Sequence, residues 1–255
     1  MAETPLYVYG VTRAGAEPGD LAGVDGEPIR TVTERDVAAF VSAAPPGAVE
    51  TTRARLLTHA RVLELLAADR TVLPMRFGVV APSERVLRES VLGPRRKVFL
   101  SLLKRFEGAV EVDLRVLFDE GEALKEIVRG SPSVRRLQLS IRNRPADATY
   151  YDRIRLGETV AQEMSARGAR EADRILAKLE PLVVEARRRP SEHERSVLHA
   201  ALLVRRADLD RLDGAVKAIG TDPRFHVRPT GPMPPYSFVD VAVRPGRGGR
   251  RSWAS

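Results

Sequence analysis

Histidine and glutamate residues near position 195 are the first place where this 255-residue chain could carry metal chemistry. His193 and Glu194, followed by His199, suggest a zinc site at first sight. The metalloprotease arrangement, however, is His-Glu-x-x-His, which places both imidazoles one helical turn apart. Here the two histidines are six residues apart, and the residues around them are typical of a strand. We therefore expect no metal site.

Other catalytic signatures are missing from the sequence. It contains no cysteine, no G-x-x-x-x-G-K-[ST] phosphate loop, no G-x-G-x-x-G after a strand and no G-x-S-x-G elbow. We assign no catalytic, cofactor-binding or metal-binding residue, and we expect a non-enzymatic protein without a cofactor. An enzyme that uses His59 or His226 is the weakest alternative, because either histidine would need a deep pocket and a carboxylate partner.

The composition is that of an ordinary globular protein, with 43% apolar and 30% charged residues. Only 5% of the residues are aromatic, so the cores must consist mainly of aliphatic side chains. The absence of cysteine excludes disulfides and suits a cytosolic protein. No apolar run approaches the ~18 residues of a membrane helix, and the N-terminal residues do not resemble a signal peptide.

The net charge of +8 allows a polyanion as partner. Part of this charge comes from the arginines of the tail RPGRGGRRSWAS, at residues 244–255. Between Val98 and Arg206, basic residues alternate with Glu and Asp at helical spacing, which favours ion pairs on solvated helix surfaces.

The first half of the chain alternates short strands with helices, which predicts one antiparallel sheet with helices on one face. Thr51 or Thr52 can cap the first helix, and Ser83 can cap the second. The predicted elements are a strand at Leu6–Val11, a hairpin of Ile29–Thr33 and Val37–Val41, a helix at Thr51–Arg70, a strand at Thr71–Val80 interrupted by Pro74, a helix at Glu84–Leu92 ended by Gly93-Pro94, a second helix around Val98–Phe106, and a strand at Gly108–Phe118.

A long helical pattern, Tyr151–Arg189, dominates the second half. Its apolar and small residues recur every three or four positions, and Pro181 should kink or split it. Such a stripe fits a coiled coil or packing across the protein's own sheet. The other predicted elements are a short helix and linker in Gly121–Arg144, a strand at Ser196–Val204, a helix at Ala207–Ile219, and strands at Phe225–Arg228 and Tyr236–Val243, the last after the turn residues Gly231–Pro235.

Together these patterns predict an α+β protein of two domains, each an antiparallel sheet with helices. The second domain resembles a ferredoxin-like plait that is modified by the long helix. We place the first domain at residues 1–130, a linker at 131–150 and the second domain at 151–243. Residues 244–255 form an Arg/Gly tail that we expect to be disordered.

Three segments are distinctive enough to suggest a family: LYVYGV at Leu6–Val11, TVLPMRFGVV at Thr71–Val80 and GPMPPYSFV at Gly231–Val239. Together with the helix LLTHARVLELL at Leu56–Leu66, they resemble the gas vesicle GvpF/GvpL proteins. The closing segment is the most specific, although family members often carry Trp where this chain has Met233. The order and spacing fit that family over nearly the whole chain.

The resemblance implies a non-enzymatic accessory or minor structural protein that acts in gas vesicle nucleation and assembly. It implies binding to the small hydrophobic shell subunit GvpA, which would limit the aggregation of that subunit. Other gas vesicle accessory proteins are further candidate partners, whereas no nucleic acid or membrane is expected. The implied location is the gas vesicle, and the cytoplasm before assembly. The implied fold is two α+β domains, the second ferredoxin-like.

Two sets of residues follow from this interpretation. The signature residues Met75, Arg76, Phe77, Tyr236 and Phe238 are predicted to hold the domains together rather than to contact the partner. Three exposed arginines of the long helix are the candidate contact with the shell subunit: Arg167, Arg170 and Arg174.

The alternative to a gas vesicle protein is a basic, ferredoxin-like module that binds nucleic acid. Sheets that recognise RNA need aromatic residues on their open face to stack on bases. The strands of this chain offer only scattered Tyr and Phe, without such a cluster.

Overall fold

The computed structural model describes residues 4–145, 147–190 and 193–239. The predicted fold class is confirmed: the chain is an α+β protein with two antiparallel sheets, each accompanied by helices. Within the described ranges, residues 4–111 and 232–239 form one compact unit, and residues 112–231 form the other. This division differs from the expected boundaries at 130 and 151, chiefly because a strand that follows residue 108 belongs to the second sheet.

The sheet of the first unit is built around its first strand. It consists of β1 (Leu6–Arg13), β2 (Arg30–Glu34), β3 (Val37–Ala43), β4 (Leu73–Pro74) and β5 (Val80–Ala81). The order is β2-β3-β1-β4, and β5 also pairs with β1. The predicted hairpin is confirmed, with Glu34 opposite Val37 across a two-residue turn.

The helices of the first unit are α1 (Arg53–Leu66), α2 (Glu84–Val86) and α3 (Gly93–Arg105), with a π-helical segment, Leu87–Leu92, between the last two. Thr52 and Ser83 cap α1 and α2 through side-chain oxygens, as predicted. The expected break at Gly93-Pro94 is wrong. The backbone stays helical from the π-helical segment through Gly93, whose N–H donates to the Arg88 carbonyl, into the first turn of α3, which contains Pro94.

The second sheet contains β6 (Ala109–Phe118), β7 (Glu185–Arg188), β8 (Ser196–Arg205) and β9 (Phe225–Met233), in the order β7-β8-β6-β9. The prediction that β6 belongs to the first sheet is therefore wrong. Its alternation correctly indicates a strand, but alternation does not specify the partner strand. Val112, Leu114, Val116 and Phe118 join the core that β8 and the helices of the second unit form.

Four helices complete the second unit: α4 (Glu120–Gly130), α5 (Pro132–Ile141), α6 (Tyr150–Leu179) and α7 (Leu209–Gly220). The expected linker at 131–150 is largely wrong, because it contains α5. Ser131 caps α5 by accepting a hydrogen bond from the Val134 N–H, and the Val134 side chain is buried. The Ser131 cap and the burial of the Val134 side chain together stabilise this second short helix.

The predicted long helix ends earlier than expected. After Leu179 the chain makes a 3₁₀ turn, Glu180–Leu182, and then enters β7. Pro181 explains the change, since its ring clashes with the carbonyl four residues earlier and it has no N–H to donate. The prediction of helix as far as Arg189 is therefore wrong.

The closing strand is also placed differently. Strand β9 already includes Gly231–Met233, at the edge of its sheet, where Pro229 and Pro232 need not donate to a further strand. Residues 234–239 contain turns, so the prediction of a strand from Tyr236 is wrong within the described chain. Residues 240–243, and the tail expected to be disordered, lie outside the described residues. Among the helices that are described, none is long and apolar enough to cross a membrane.

Candidate functional site

The signature segments of the first unit meet around one buried histidine of α1. His59 Nε2 lies 3.1 Å from the carbonyl oxygen of Met75, and its Nδ1 lies 2.9 Å from the Tyr7 hydroxyl. Because a carbonyl can only accept, Nε2 carries the proton and Nδ1 accepts from Tyr7. The Gly78 N–H donates in turn to the Tyr7 hydroxyl at 3.2 Å. One histidine and one tyrosine thus hold the turn of the L-P-M-R-F-G segment at both ends.

The rings around His59 form an aromatic cluster of Tyr7, Tyr9, His59 and Phe77. His59 stacks on Tyr9 with ring centroids 5.7 Å apart, and it meets Tyr7 and Phe77 edge-on at the same distance. The Tyr9 hydroxyl lies 3.0 Å from the Ser42 hydroxyl and accepts from the Val24 N–H at 2.7 Å. The polar atoms of the cluster therefore have partners inside the unit.

Burial keeps these groups uncharged at neutral pH. It lowers the pKa of His59, only partly opposed by the hydrogen bond to Met75, and it raises the pKa of Tyr7 and Tyr9. A neutral histidine that already donates to a carbonyl and accepts from a tyrosine has no free proton to exchange. His59 is thus a packed residue whose hydrogen bonds position the backbone of the L-P-M-R-F-G segment.

The closing signature is fixed by a buried carboxylate of β6. Glu111 is completely buried. Its Oε2 accepts from the Ser237 N–H at 2.7 Å, and its Oε1 accepts from the Ser237 hydroxyl. Phe238 is buried beside this anchor, while Tyr236 packs, partly buried, against the core that contains the aromatic cluster. Sequence reasoning did not single out Glu111, although a glutamate within an apolar alternating strand is a usable signal.

The five predicted signature residues have different environments. Met75 and Phe238 are buried, and Phe77 and Tyr236 are partly buried against the first unit's core. Arg76 is exposed, and among the described residues it has no ion pair. The proposed role of these residues in holding the domains together stays a prediction.

The three predicted contact arginines of α6 come together around a cavity of about 260 Å³, with Arg224. Arg167 is half-buried and lies 3.8 Å from Glu126 and 3.7 Å from Glu163. Arg174 is exposed and pairs with Glu171 at 2.8 Å. Arg170 is exposed and makes no ion pair within the described chain. We call Arg167, Arg170 and Arg174 the arginine face of α6.

A second charged cluster lies on β6, around Asp113. Its Oδ1 accepts from Arg189 Nη1 at 3.1 Å and lies 3.1 Å from His199 Nε2, while its Oδ2 accepts from Arg115 Nε at 3.3 Å. His199, considered above for a metal site, is thus a partner of a carboxylate that two arginines already bind. His226 lies exposed on β9, 3.1 Å from Asp119 Oδ2. In the part of the chain that the structure describes, no three His, Asp or Glu side chains are grouped as metal ligands.

The chain as described is thus a two-sheet α+β protein whose signature segments pack onto their own core. A family model described as gas vesicle synthesis protein GvpL/GvpF matches residues 5–240. The chain therefore belongs to the gas vesicle GvpL/GvpF family, as its signature segments suggest.

Individual relatives agree with this assignment. The chain is 32% identical to gas vesicle protein F of Streptomyces sp. (strain CB03234) over 243 residues, which cover 92% of this chain and 99% of the relative. It is 30% identical to gas vesicle protein L of the same strain over 270 residues, which cover 92% and 93% of the two chains.

Solved structures show the same fold. The crystal structure of GvpF from Anabaena sp. PCC7120 matches with a TM-score of 0.81 at 21% identity, over 94% of this chain and 100% of that one. The GvpF structure from Microcystis aeruginosa matches with a TM-score of 0.72, also at 21% identity, over 92% and 98% of the two chains.

Proposed function

We propose that this protein is a non-enzymatic accessory or minor structural component of gas vesicles that acts in their nucleation and assembly. In this role it binds the hydrophobic shell subunit GvpA and limits its aggregation, in the cytoplasm before assembly and at the vesicle afterwards. The family match over residues 5–240 is the observation that carries the proposal. In the aromatic cluster, the side-chain polar atoms of Tyr7, Tyr9 and His59 are hydrogen-bonded within the first unit, which supports a structural role for these residues.

The surfaces available for such a partner are sheet edges and the long helix. Strands β2 and β7 lie at the ends of their sheets and contain no proline, so they can accept a further strand. Strand β9, at the other end of the second sheet, is blunted by Pro229 and Pro232. The arginine face of α6 offers exposed positive charge.

Co-expression with the shell subunit tests the function directly. We expect a soluble complex that is retained on affinity purification of this chain. Shell subunit that stays wholly aggregated, with none co-purifying, would reject the proposal.

The arginine face is tested by the double variant R170E/R174E in the same assay. Arg170 and Arg174 are exposed, so we expect less co-purified shell subunit at an unchanged melting temperature. R167E is unsuitable, because Arg167 is half-buried beside Glu126 and Glu163. R135E/R136E on α5 makes the same charge change at two exposed arginines and serves as the control. Equal yields from both double variants would exclude the arginine face.

A further inference from the structure

The edge strand beside β1 is interrupted by a loop. Strands β4 and β5 both pair with β1, and in the described sheet neither has a neighbour on its other side. Between them, the Met75 N–H donates to the Tyr9 carbonyl at 2.8 Å. The Val8 N–H donates to the Val79 carbonyl at 2.9 Å. Two adjacent residues of β1 thus face a segment of five, 75–79, whose three central residues form the Arg76 loop: Arg76, Phe77 and Gly78.

Buried side chains hold the backbone at both ends of the Arg76 loop. His59 donates to the carbonyl of Met75, just before the loop, and the Tyr7 hydroxyl accepts from the N–H of Gly78, the last loop residue. Gly78 has a φ of 82°, a conformation that favours glycine. The backbone groups of a surface loop can bond to water, so a buried histidine and a buried tyrosine are not needed merely to satisfy them. These two anchors instead restrict the conformation of the loop.

The two large side chains of the loop differ in what they contact. Phe77 meets His59 and Tyr7 edge-on and packs, partly buried, against the core of the first unit. Arg76 is exposed, and no carboxylate of the described residues pairs with it. Arg61 of α1 is likewise exposed and unpaired within the described chain, so exposure alone does not distinguish Arg76. The anchored insertion distinguishes it, because an insertion in an edge strand re-aims a side chain.

An anchored arginine is suited to a carboxylate on a protein partner. The guanidinium is planar and can bind both oxygens of one carboxylate. A restricted loop loses less conformational entropy on binding than a flexible one, which raises affinity. Arginine and aromatic side chains are also enriched at the centres of protein interfaces, and the partly exposed Phe77 adjoins Arg76 in the chain. A nucleic-acid backbone, by contrast, is bound by many cations together.

We propose that Arg76 binds a carboxylate on the surface of a partner protein, and that the anchored Arg76 loop positions the guanidinium for this contact. For Arg76, this role is an alternative to the predicted one of holding the domains together. The inference deepens the proposed function and rests on it for the identity of the partner, which is the shell subunit. Arg76 belongs to the first unit and the arginine face of α6 to the second, so the two are tested by different variants.

Co-expression with the shell subunit, followed by affinity purification of the full chain, tests the contact. We expect R76E to lower the retained shell subunit at least about fivefold, because it replaces an attraction with a repulsion. The melting temperature should not change, since Arg76 has no ion pair among the described residues. R61E makes the same charge change two residues from His59, on a different side of α1, and is the matched control. A loss no larger than that of R61E would overturn the inference.

Two further variants test the geometry of the contact. R76K keeps the charge but lacks the planar fork, so we expect about a threefold loss of retained shell subunit. G78A leaves Arg76 in place but puts an L residue at a φ of 82°, so the loop must change its conformation although a Cβ there would meet no atom within 4 Å. We expect about a threefold loss here as well. Retention at the wild-type level would refute the two-oxygen contact for R76K, and the role of the anchored loop for G78A.

Charge reversal on the shell subunit then identifies the carboxylate. Each acidic residue of the shell subunit is replaced by lysine in turn. We expect one replacement to weaken retention by the wild-type chain and to restore retention by R76E. Restoration by none of them would contradict a carboxylate as the partner group. Labelled RNA that binds the wild-type chain but not R76E would assign Arg76 to phosphate and would also overturn the inference.

These outcomes separate the inference from the proposed function. If R76E retains as much shell subunit as the wild-type chain, the contact at Arg76 fails while the function stands. If the wild-type chain retains none, the proposed function fails, and the assignment of Arg76 to the shell subunit fails with it.

Discussion

At the scale of single residues, two buried polar groups fix the signature segments of the first unit. His59 holds the Met75 carbonyl and, through Tyr7, the Gly78 N–H. Glu111 holds the backbone and hydroxyl of Ser237. Both groups bind main-chain atoms, so the segments are held in place by their backbone as well as by packing.

Acid should weaken the contribution of His59 to stability. Its folded-state pKa is lowered by burial, so below the unfolded value of ~6.5 the unfolded chain binds a proton that the folded chain does not. The stabilisation is thus complete above that pH and is lost as the pH falls, by at most about 1.4 kcal/mol per pH unit.

The variant H59L isolates the pH-dependent contribution of His59 to the free energy of unfolding. At pH 8 we expect it to unfold with about 1–3 kcal/mol less free energy than wild type, because Tyr7 and Met75 lose a partner. Urea denaturation from pH 8 to pH 5 should show the difference shrinking. A difference that stays constant over this range would refute the assigned neutral state.

Removal of the Glu111 carboxylate should lower the stability of the folded protein. We expect E111A to lower the free energy of unfolding by about 1.5–3 kcal/mol, since it leaves the Ser237 N–H without this acceptor. S237A removes only the hydroxyl and should cost about 1 kcal/mol. Denaturant titration measures both, with E107A as the control at an exposed glutamate nearby. The idea fails if E111A is no more destabilising than E107A.

At the scale of elements, α6 is a single helix of 30 residues with two environments. Its second half packs on the second sheet, and the stripe of its first half remains uncovered. The sequence pattern is continuous through both halves. Of the two interpretations considered for it, packing across the protein's own sheet is observed for the second half of α6, and the coiled coil stays a prediction.

Alanine at the two glycines of α6 should have opposite effects. G157A fills open space and should raise the free energy of unfolding by about 0.5–1 kcal/mol through helix propensity. G168A brings a methyl group to 3.0 Å from the Ser196 carbonyl and should lower it. Thermal or denaturant unfolding of the pair checks this. If G168A is stabilising instead, α6 and β8 can move apart enough to accept the methyl group without a loss of stability.

At the scale of the whole molecule, the net charge of +8 left nucleic acid as the competing partner. The aromatic residues of the described strands are Tyr7, Tyr9, Phe40, Phe118 and Phe225, and all five are buried. The described sheets therefore offer no ring on which a base could stack. Many of the arginines are paired with carboxylates, which further weakens an electrostatic site.

Mixed-sequence RNA should accordingly not bind. We expect no change in the anisotropy of labelled RNA at about 50 mM salt, where phosphate contacts are strongest. Replacement of the arginines at residues 244–255 by glutamine is the control that separates their contribution from that of the described residues. Salt-sensitive binding that survives this replacement would favour the nucleic-acid alternative.

Local chemistry already settles much of this architecture. Helix α1 begins where a threonine can cap it, α6 ends at Leu179, two residues before Pro181, and alternating residues mark β6 and the hairpin. Each feature depends on interactions within a few residues, which a single sequence displays. The signature segments likewise indicate the family, because a motif is recognised from the identity and order of its residues without knowledge of the structure.

Long-range contacts decide the rest. Alternation marks β6 as a strand, but its neighbours β8 and β9 are some 80–120 residues away along the chain, so its sheet could not be inferred locally. The same holds for Glu111 and Asp113, whose hydrogen-bond partners Ser237, Arg189 and His199 lie 76 to 126 residues further along the chain. The two halves of the α6 stripe look alike in sequence and differ only because the second sheet covers one of them.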